Sequence, residues 1–593
     1  MEEPTLRFAL LCLAVTLSGA AALTYELIWI RRLGEIFGQT VYAINIVLAV
    51  IFGGLGLGAY LFGRVADRMA GRISLFCVLE LCIGLCGLLF LPLSGLVERL
   101  YLSLGPAEWS VGPALWVKGA FTALLLALPA VAMGGTLSAL TRHVVRRDRD
   151  LAPRLGWLYG LNTLGAAAGV AGTSFLWLPR LGLPGTMVLA AAGNATAALL
   201  GFCFRLKGDP APLHAPEPAA ASPSDPVRTT YVIVAAAALA GFVGAGFEIL
   251  WTRALSSRFL STTYSFSVIL LVFLAAMGLG SIVVALLDRV GLARRAMCAL
   301  LFGAAGLAGA FSILQLSAVP AANQQAVEGF AAYQWSELRH ALWVIGAPVF
   351  LLGCTFPLLV RLGHRRVDHV GREVGRVYLA NTCGSVVSPL LFGFLLLPAL
   401  GLKTLLLLTS WSCVLFAALF LVPWAFRRRV WSVVTASLLL ASMTALWTRV
   451  PEDIRFWTDT ETERLVAYRE GLAASVSVVL VPPGNLVLKI NNSYRLGDTR
   501  RVFAQARQGL IPLLLHPRPR RMLFLGVGTG GSAGAAAAPG GVDIAALEIL
   551  PDWQDVLHHF LESNFGFVER VHLEEGVRFL AVDARHLVQA TER

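Results

Sequence analysis

The sequence predicts a multi-pass α-helical membrane domain made of two parallel six-helix repeats, followed by a β-hairpin and an incomplete α/β domain with a Rossmann-like core. The first observation behind this prediction is composition: 57% of the 593 residues are hydrophobic and only 14% are charged, which excludes an ordinary soluble protein. The second is an internal repeat within the apolar part. The third is a glycine-rich turn that follows a short apolar run near the C-terminus.

Apolar runs recur from Leu6 to Trp447. A spanning helix needs about twenty predominantly apolar residues, and thirteen segments approach or exceed that length. The first is too long for a signal peptide and lacks a cleavage site, so it is predicted to be an anchor. The segments are Ala9–Ile30, Thr40–Phe62, Ile73–Leu93, Leu115–Ala139, Leu155–Leu178, Thr186–Phe204, Tyr231–Trp251, Tyr264–Leu287, Ala296–Val319, Ala341–Leu362, Val377–Leu397, Leu402–Trp424 and Trp431–Trp447.

The net charge of +12 comes from cations at the ends of these segments, most densely in Arg142–Arg154 and Arg361–Arg376. A positive-inside topology explains these loops better than nucleic-acid binding does. The sequence therefore predicts a protein of the inner membrane, with a cytoplasmic N-terminus, in contact with the lipid bilayer and not with nucleic acid. The nine cysteines, from Cys12 to Cys413, contain no CxxC pair, so no metal site is predicted.

The membrane part is duplicated. TYELIWIRRL at Thr24–Leu33 returns as GFEILWTRAL at Gly246–Leu255, a shift of 222 residues, and LYGLNTLG at Leu158–Gly165 matches VYLANTCG at Val377–Gly384, a shift of 219. Six spans per half is an even number, so both halves enter the membrane in the same orientation. Parallel halves of this kind resemble those of major facilitator transporters.

These features divide the chain into five segments. Repeat 1 is predicted over residues 1–206, a disordered Pro- and Ala-rich linker over 207–229, repeat 2 over 230–426, a thirteenth helix over 427–450, and a C-terminal domain over 451–593.

Glu26 and Glu248 are equivalent acids near the ends of the first spans of the two halves. An acid within a span is costly and usually faces protein, a water-filled cavity or a basic partner. One interpretation is a symmetric pair that binds a cationic substrate. The other is an interfacial glutamate paired with the arginine five residues further on, Arg31 or Arg253.

The C-terminal domain begins with a solvent-exposed segment that includes Glu463 and Arg464. A hairpin is predicted over residues 474–490, because two apolar runs flank a Pro-Pro-Gly-Asn turn, and a helix is predicted over Val502–Leu515. A βαβ unit follows from residue 522, and a further strand is predicted over Val577–Val582.

The βαβ unit opens with MLFLGVGTGG at Met522–Gly531. Glycines allow the backbone to approach a ligand closely, and the start of a helix offers free N–H groups. The next strand, Val542–Glu548, ends in a carboxylate where a ribose-binding acid would lie. This order of elements favours a nucleoside site over a simple packing turn.

Together, the hairpin, the helix, the glycine loop, the acid-tipped strand and Asp-Ala-Arg after the third strand resemble the spermidine synthase family, whose core is a Rossmann-like, methyltransferase-type fold. The whole chain resembles bacterial membrane proteins in which a duplicated helical domain precedes a spermidine synthase-like domain. The resemblance implies decarboxylated S-adenosylmethionine or methylthioadenosine as cosubstrate or product, with the glycines lining the nucleoside, the glutamate on the ribose and the aspartate facing the adenine. These residues are Gly526, Gly528, Gly530, Gly531, Glu548 and Asp583.

The chain also departs from the family pattern. Thr529 replaces an acidic residue that contacts the cosubstrate amine, and Asn491-Asn492 stands where Asp-Gly is usual. The catalytic aspartate of the family is expected beyond Arg593, so no catalytic residue is assigned and a polypeptide ending there is expected to lack activity.

The leading function hypothesis is a membrane-bound transferase that moves an aminopropyl group from decarboxylated S-adenosylmethionine to a polyamine or related amine, with a homodimer as an allowed assembly. The alternatives are a polyamine or cation transporter with a nucleoside-sensing domain, and a non-catalytic membrane scaffold. If Trp431–Trp447 crosses the membrane, the C-terminal domain lies outside, whereas an interfacial helix keeps it in the cytoplasm.

Overall fold

The structure is a computed structural model. It describes residues 3–38, 41–69, 72–104, 111–145, 151–205, 226–289, 295–321, 328–364, 369–425, 429–450, 463–471, 474–492, 494–550, 554–573 and 577–581. Most of the predicted linker lies outside these ranges, and the first helix after it already begins at Pro226.

The first half of the membrane domain consists of long helices joined by short connections. Its helices are α1 (Glu3–Phe37), α2 (Val41–Arg68), α3 (Arg72–Ser103), α4 (Val111–Val144), α5 (Leu151–Gly172) and α6 (Leu178–Arg205). The second half contains α7 (Pro226–Ser256), α8 (Thr263–Arg289), α9 (Arg295–Ser317), α10 (Phe330–Gly353), α11 (Thr355–Gly363), α12 (Val370–Leu391) and α13 (Leu397–Ala425). A π-helical turn joins α5 to α6 at Thr173–Trp177, and another joins α12 to α13 at Phe392–Leu396.

Ten helices in the described part of the chain are long and apolar enough to cross a membrane. Two of them, Pro153–Cys203 and Val370–Phe420, are 51 residues long, which at 1.5 Å per residue is about 75 Å, more than twice the ~30 Å of a hydrocarbon core. Each is interrupted by a glycine of positive φ, Gly182 at 63° and Gly401 at 74°. Each therefore holds two of the predicted segments, and the ten helices contain twelve of the thirteen.

The thirteenth segment forms α14 (Arg429–Arg449), a helix of 21 residues that is not among those ten. It packs along α13 and α9, where Leu439 lies against Gly303 and Met443 is fully buried. That α14 crosses the membrane stays a prediction.

The same close helix contact occurs in both halves. A Cβ atom at Gly58 of α2 would lie 1.9 Å from the carbonyl oxygen of Val131 in α4, and a Cβ at Gly280 of α8 would lie 2.2 Å from that of Phe350 in α10. Only glycine allows the backbones to approach this closely. These positions are related by the shifts of 222 and 219 residues found in the sequence. Between the halves, α2 packs on α12 and α5 packs on α8.

The C-terminal domain contains two sheets around one hydrophobic cluster. The first is antiparallel, in the order β1 (Arg464–Glu470), β2 (Ser475–Val481), β3 (Asn485–Ile490), β4 (Tyr494–Asp498). The second is parallel, in the order β5 (Arg521–Leu525), β6 (Asp543–Glu548), β7 (Val577–Ala581). The remaining elements are α15 (Val502–Leu515), α16 (Gly531–Ala537), α17 (Gln554–Leu557), a 3₁₀ turn (His558–Ser563) and α18 (Phe567–Leu573).

The predicted hairpin and helix are confirmed as β2–β3 and α15, but the exposed position predicted for Glu463 is wrong. Glu463 is buried because its carboxylate lies 3.0 Å from the ammonium group of Lys489, which is itself fully buried on β3. The sequence prediction missed strand β1, which begins at the next residue. The polar composition around Glu463 predicted a solvent-exposed segment. The structure instead shows that this acid belongs to a buried ion pair.

Candidate functional site

The glycine loop connects β5 to α16 through three glycines of positive φ. Gly526, Gly528 and Gly530 have φ values of 94°, 59° and 83°, a region that L side chains rarely adopt. A hydrogen bond from the Gly526 N–H to the carbonyl of Leu547, at 2.8 Å, ties the loop to β6. Gly531 begins α16, and its missing side chain leaves room for Gln505 of α15. The loop conformation therefore depends on glycine at these positions.

Glu548, at the end of β6, directly contacts the glycine loop. Its Oε2 accepts a hydrogen bond from the Val527 N–H at 3.1 Å, while Oε1 accepts from the N–H groups of Ile549 at 2.9 Å and Leu550 at 3.3 Å. The residue is only 7% exposed. These bonds fix the carboxylate at the loop, and three donors still leave lone pairs for a ligand, since a carboxylate has about four acceptor positions.

The glycine loop and Glu548 line one cavity of about 680 Å³, which is the size of a small-molecule site. The loop contributes Gly526 and Gly528, and Glu548 forms part of the same wall. The neighbouring wall comes from α15 and the edge strand β5. Of the predicted site residues that the structure describes, Gly526, Gly528 and Glu548 line this cavity, whereas Gly530 and Gly531 do not.

The sequence prediction missed the contribution of α15. Gln505 accepts a hydrogen bond from the hydroxyl of Thr529 at 2.6 Å, and its backbone carbonyl accepts one from the hydroxyl of Ser532 at 2.8 Å. Thr529 is 2% exposed, so the residue that replaces the acid of the family pattern is engaged by α15. An amphipathic helix gave no signal that one glutamine faced the glycine loop.

Two further predicted features have different outcomes. Asp583 lies outside the described residues. Asn491 and Asn492 lie in a turn of positive φ, where the Asn491 side chain accepts a hydrogen bond from the Ser475 N–H at 3.0 Å. Asn492 instead donates across to the membrane domain, to the carbonyl of Ser257 at 3.4 Å. Neither asparagine lines the cavity.

In the membrane domain, Glu26 of α1 and Glu248 of α7 are half-buried and within electrostatic range of each other. The hydroxyl of Tyr378 on α12 is within electrostatic range of Glu26. Tyr159, the equivalent tyrosine on α5, is within electrostatic range of Tyr378, and its ring centroid lies 4.7 Å from that of Phe356 with the two rings tilted by 32°. Two acids and two tyrosines related by the internal repeat therefore form one cluster between the halves.

The alternative pairing of each acid with the arginine five residues on is wrong. Arg31 pairs with Glu35 at 3.7 Å, and Arg253 pairs with Glu470 of β1 at 3.5 Å. Residues five apart on a helix are rotated well away from each other, whereas Glu35 is one turn from Arg31.

The fold and the site define a class of protein: a multi-pass helical membrane domain joined to a domain with a glycine-loop cavity. Among solved structures, a bacterial homologue of the iron transporter ferroportin in its outward-facing state aligns with a TM-score of 0.50 at 14% identity, covering 71% of this chain and 99% of that one. A transporter of the major facilitator superfamily in the outward conformation aligns with a TM-score of 0.46 at 16% identity, over 70% of this chain and 98% of that one. The likeness to the ferroportin homologue is one of fold.

In sequence, the chain is similar to two polyamine aminopropyltransferases. Polyamine aminopropyltransferase 2 of Streptomyces coelicolor is 26% identical over 406 residues, which cover 63% of this chain and 68% of that protein. A polyamine aminopropyltransferase of Corynebacterium efficiens is 27% identical over 198 residues, or 33% of this chain and 36% of that protein. No model of a known protein family matches the chain.

The Streptomyces alignment is longer than the whole segment 451–593, so the similarity extends into the helical domain. The chain is thus a fusion of a multi-pass helical membrane domain, with the fold of that ferroportin homologue, and a segment similar in sequence to polyamine aminopropyltransferases.

Proposed function

We propose that the chain is a membrane-bound aminopropyltransferase-like protein whose C-terminal domain binds an adenosyl thioether. Decarboxylated S-adenosylmethionine is the proposed cosubstrate, and a polyamine or related amine is the proposed acceptor. The observation that carries the proposal is that the glycine loop and Glu548 line one cavity. The similarity to polyamine aminopropyltransferases supports the same chemistry.

Each group has a defined role in this proposal. The glycine loop lets the nucleoside lie close to the backbone, because side chains at Gly526 and Gly528 would require strained φ angles. Glu548 accepts hydrogen bonds from the ribose hydroxyls while its backbone donors hold it in orientation. Asp583 is proposed to face the adenine.

Calorimetry on the full chain in lipid nanodiscs, with methylthioadenosine as ligand, tests the proposal. Glu548→Ala should weaken binding by about 1–3 kcal/mol, the loss expected for a charged hydrogen-bonding partner. Glu562→Ala, which removes an exposed acid from the same domain, is the matched control and should leave affinity unchanged. Equal affinity of the parent and Glu548→Ala would remove Glu548 from the site. Thermal unfolding of both variants separates a folding defect from a binding defect.

A second function, transport of an organic cation through the helical domain, is favoured by the cluster of Glu26 and Glu248. Two mutually close acids of which neither pairs with its nearby arginine attract a cation of the amine class. Uptake of labelled spermidine into proteoliposomes should be lost in Glu26→Gln and in Glu248→Gln. Glu35→Gln, on the same helix as Glu26, should transport normally. Transport by both cluster variants at the parent rate would exclude this function.

The architecture proposed for these functions is the one expected from the sequence. Repeat 1 over residues 1–206 and repeat 2 over 230–426 are parallel six-helix units, which the recurring Gly58 and Gly280 contacts support. The segment 451–593 is a Rossmann-like domain, which the parallel order β5-β6-β7 supports. Superposition of the two halves in an experimental structure should bring the Glu26 and Glu248 carboxylates together.

A further inference from the structure

The C-terminal domain is fixed to one end of helix α7. The guanidinium of Arg253 donates to the carbonyl of Gly471 at 3.0 Å and lies 3.5 Å from the carboxylate of Glu470. Both side chains are largely buried, at 15% and 3% exposure. Asn492 adds the hydrogen bond to Ser257, one residue beyond the end of α7. The antiparallel sheet therefore rests on the membrane face at which α7 ends.

Apolar contact reinforces these polar bonds. Val450, just after α14, is 5% exposed within the hydrophobic core of the second half, and Tyr468 of β1 packs against that same core. Strand β1 also contacts α13. A contact that combines a buried ion pair with core packing holds the C-terminal domain in one position on the membrane domain.

The surface that carries this contact belongs to the second half. Arg31 and Glu35 of α1 correspond by the repeat to Arg253 of α7 and to Ser257, just beyond its end. In the first half the arginine pairs within its own helix, at 3.7 Å from Glu35. In the second half serine replaces that acid, and the arginine bonds instead to Glu470 and Gly471. The two halves thus share the arginine and differ at the second position, where the second half has Ser257 in place of Glu35.

The face occupied by this contact is opposite to the basic loops. The loops rich in arginine follow α4 and α10–α11, whereas Ser257 lies in the loop between α7 and α8, and consecutive spans alternate between faces. Asp67, at the end of α2, accepts hydrogen bonds from the N–H groups of Gly371 and Arg372 at 2.9 and 2.8 Å, which brings the loops after α2 and α11 together on the basic face. By the positive-inside rule the basic face is cytoplasmic.

Helix α14 connects the two faces. It begins at Arg429, just after α13 ends at Ala425, and it ends at Arg449, next to the contact with β1. At about 1.5 Å per residue its 21 residues span about 31 Å, which matches a hydrocarbon core.

We infer that the C-terminal domain is docked on the non-cytoplasmic face of the membrane, over the second half, and that it takes its ligand from that side. The class of that ligand, an adenosyl thioether, rests on the proposed function; the sidedness does not. An adenosyl thioether made in the cytoplasm reaches this cavity only after a step that carries it across the membrane.

Labelling with a membrane-impermeant maleimide tests the sidedness, whether or not any ligand binds. Cys203 and Cys383, the exposed cysteines in the described part of the chain, are first replaced by alanine. Arg501→Cys, at a side chain that is 80% exposed in the C-terminal domain, should be labelled in intact spheroplasts. Arg372→Cys, at an exposed position on the basic face, should be labelled only after permeabilisation. The reverse pattern would overturn the inference.

Cross-linking tests the docking contact itself. Ser257→Cys combined with Asn492→Cys should be joined by a short bifunctional thiol reagent, because the native side chain and carbonyl lie 3.4 Å apart. Glu35→Cys with Asn492→Cys uses the equivalent position of the first half and should give no cross-link. Cross-linking of the second pair but not the first would place the domain over the wrong half and refute the contact.

Discussion

The carboxylate of Asp67, at the end of α2, accepts a hydrogen bond from the backbone N–H of Gly371, in the first turn of α12, at 2.9 Å. Its other oxygen accepts from the N–H of Arg372 at 2.8 Å, and Arg142 of α4 lies 3.1 Å away. One side chain of the first half thus satisfies N–H groups that a helix start leaves without partners, and that helix belongs to the second half.

Asp67→Ala should therefore loosen the contact between the halves on the basic face. The loss of two hydrogen bonds to a charged group predicts a decrease of about 2–4 kcal/mol in the free energy of unfolding. Thermal unfolding of the parent chain and of the variant in nanodiscs measures this decrease in stability. Asp543→Ala, which removes an exposed ion pair with Arg578, is the control and should cost less than about 1 kcal/mol. Equal costs in the two variants would contradict a bridging role for Asp67.

Lys489 and Glu463 form the most deeply buried ion pair of the C-terminal domain among its described residues, with side chains 0% and 3% exposed. Lys489→Met should cost about 3–5 kcal/mol of stability, because it leaves a buried carboxylate without its close partner. Arg495, the next cation, is 4.0 Å from Glu463 and mostly exposed.

The double variant Lys489→Met with Glu463→Leu should recover much of that loss, since no unpaired charge remains. Arg578→Met serves as the exposed control. Denaturant unfolding of all four proteins gives the comparison. A double variant no more stable than Lys489→Met alone would show that packing, and not charge, is responsible.

Gly528→Ala should weaken methylthioadenosine binding by at least about tenfold, because the added Cβ meets the Leu496 carbonyl oxygen at 3.0 Å and φ is 59°. Gly540→Ala has the same kind of backbone strain, with φ at 75° and no atom within 4 Å, but it lies away from the cavity. Each substitution should cost about 1–2 kcal/mol of stability, whereas only the first should affect calorimetric affinity. Parallel affinity losses in both would mean that general destabilisation, not loop geometry, controls binding.

Docking of the C-terminal domain should depend on pH through Glu470. Burial raises the pKa of this carboxyl from 4.5 to about 7, and the charge of Arg253 opposes the rise only in part. Since the docked state binds the proton more tightly than the undocked state, docking is strongest below about pH 4.5 and weakens as the pH rises to about 7. Above that pH no further change is expected from this group.

Thermal unfolding of the parent chain and of Glu470→Gln between pH 5 and pH 8 measures the effect. Relative to the glutamine variant, the parent should lose stability up to about pH 7 and then level off. Asp555→Asn, which changes an exposed acid, should follow the parent. A parent and a Glu470→Gln variant with parallel pH curves would show that this carboxyl does not titrate on docking.

Sequence patterns predicted best where local chemistry decides the structure. The breaks near Gly182 and Gly401, the hairpin around Gly484 and the carboxylate of Glu548 at the glycine loop all follow from a few neighbouring residues. Each depends on a glycine that permits an unusual backbone conformation or on the order of neighbouring strands. Both can be read from the spacing of residues in the sequence.

The features that were missed depend on contacts between residues distant in sequence. Glu463 was expected in solvent, yet it forms a buried ion pair with Lys489. Arg253 was offered as a partner of Glu248, yet it pairs with Glu470 of the C-terminal domain. Gln505 gave no signal of its contact with Thr529. Long-range partners of polar residues are not encoded in local periodicity.

Helix α14 has a consequence for how the chain is made. Leu439 packs against Gly303, Met443 is fully buried, and the helix lies along α9 and α13. Under the inferred sidedness, everything after Arg449 is exported only when α14 crosses the membrane. The contacts of α14 with α9 and α13 would then hold in place the segment that decides on which side of the membrane the C-terminal domain folds.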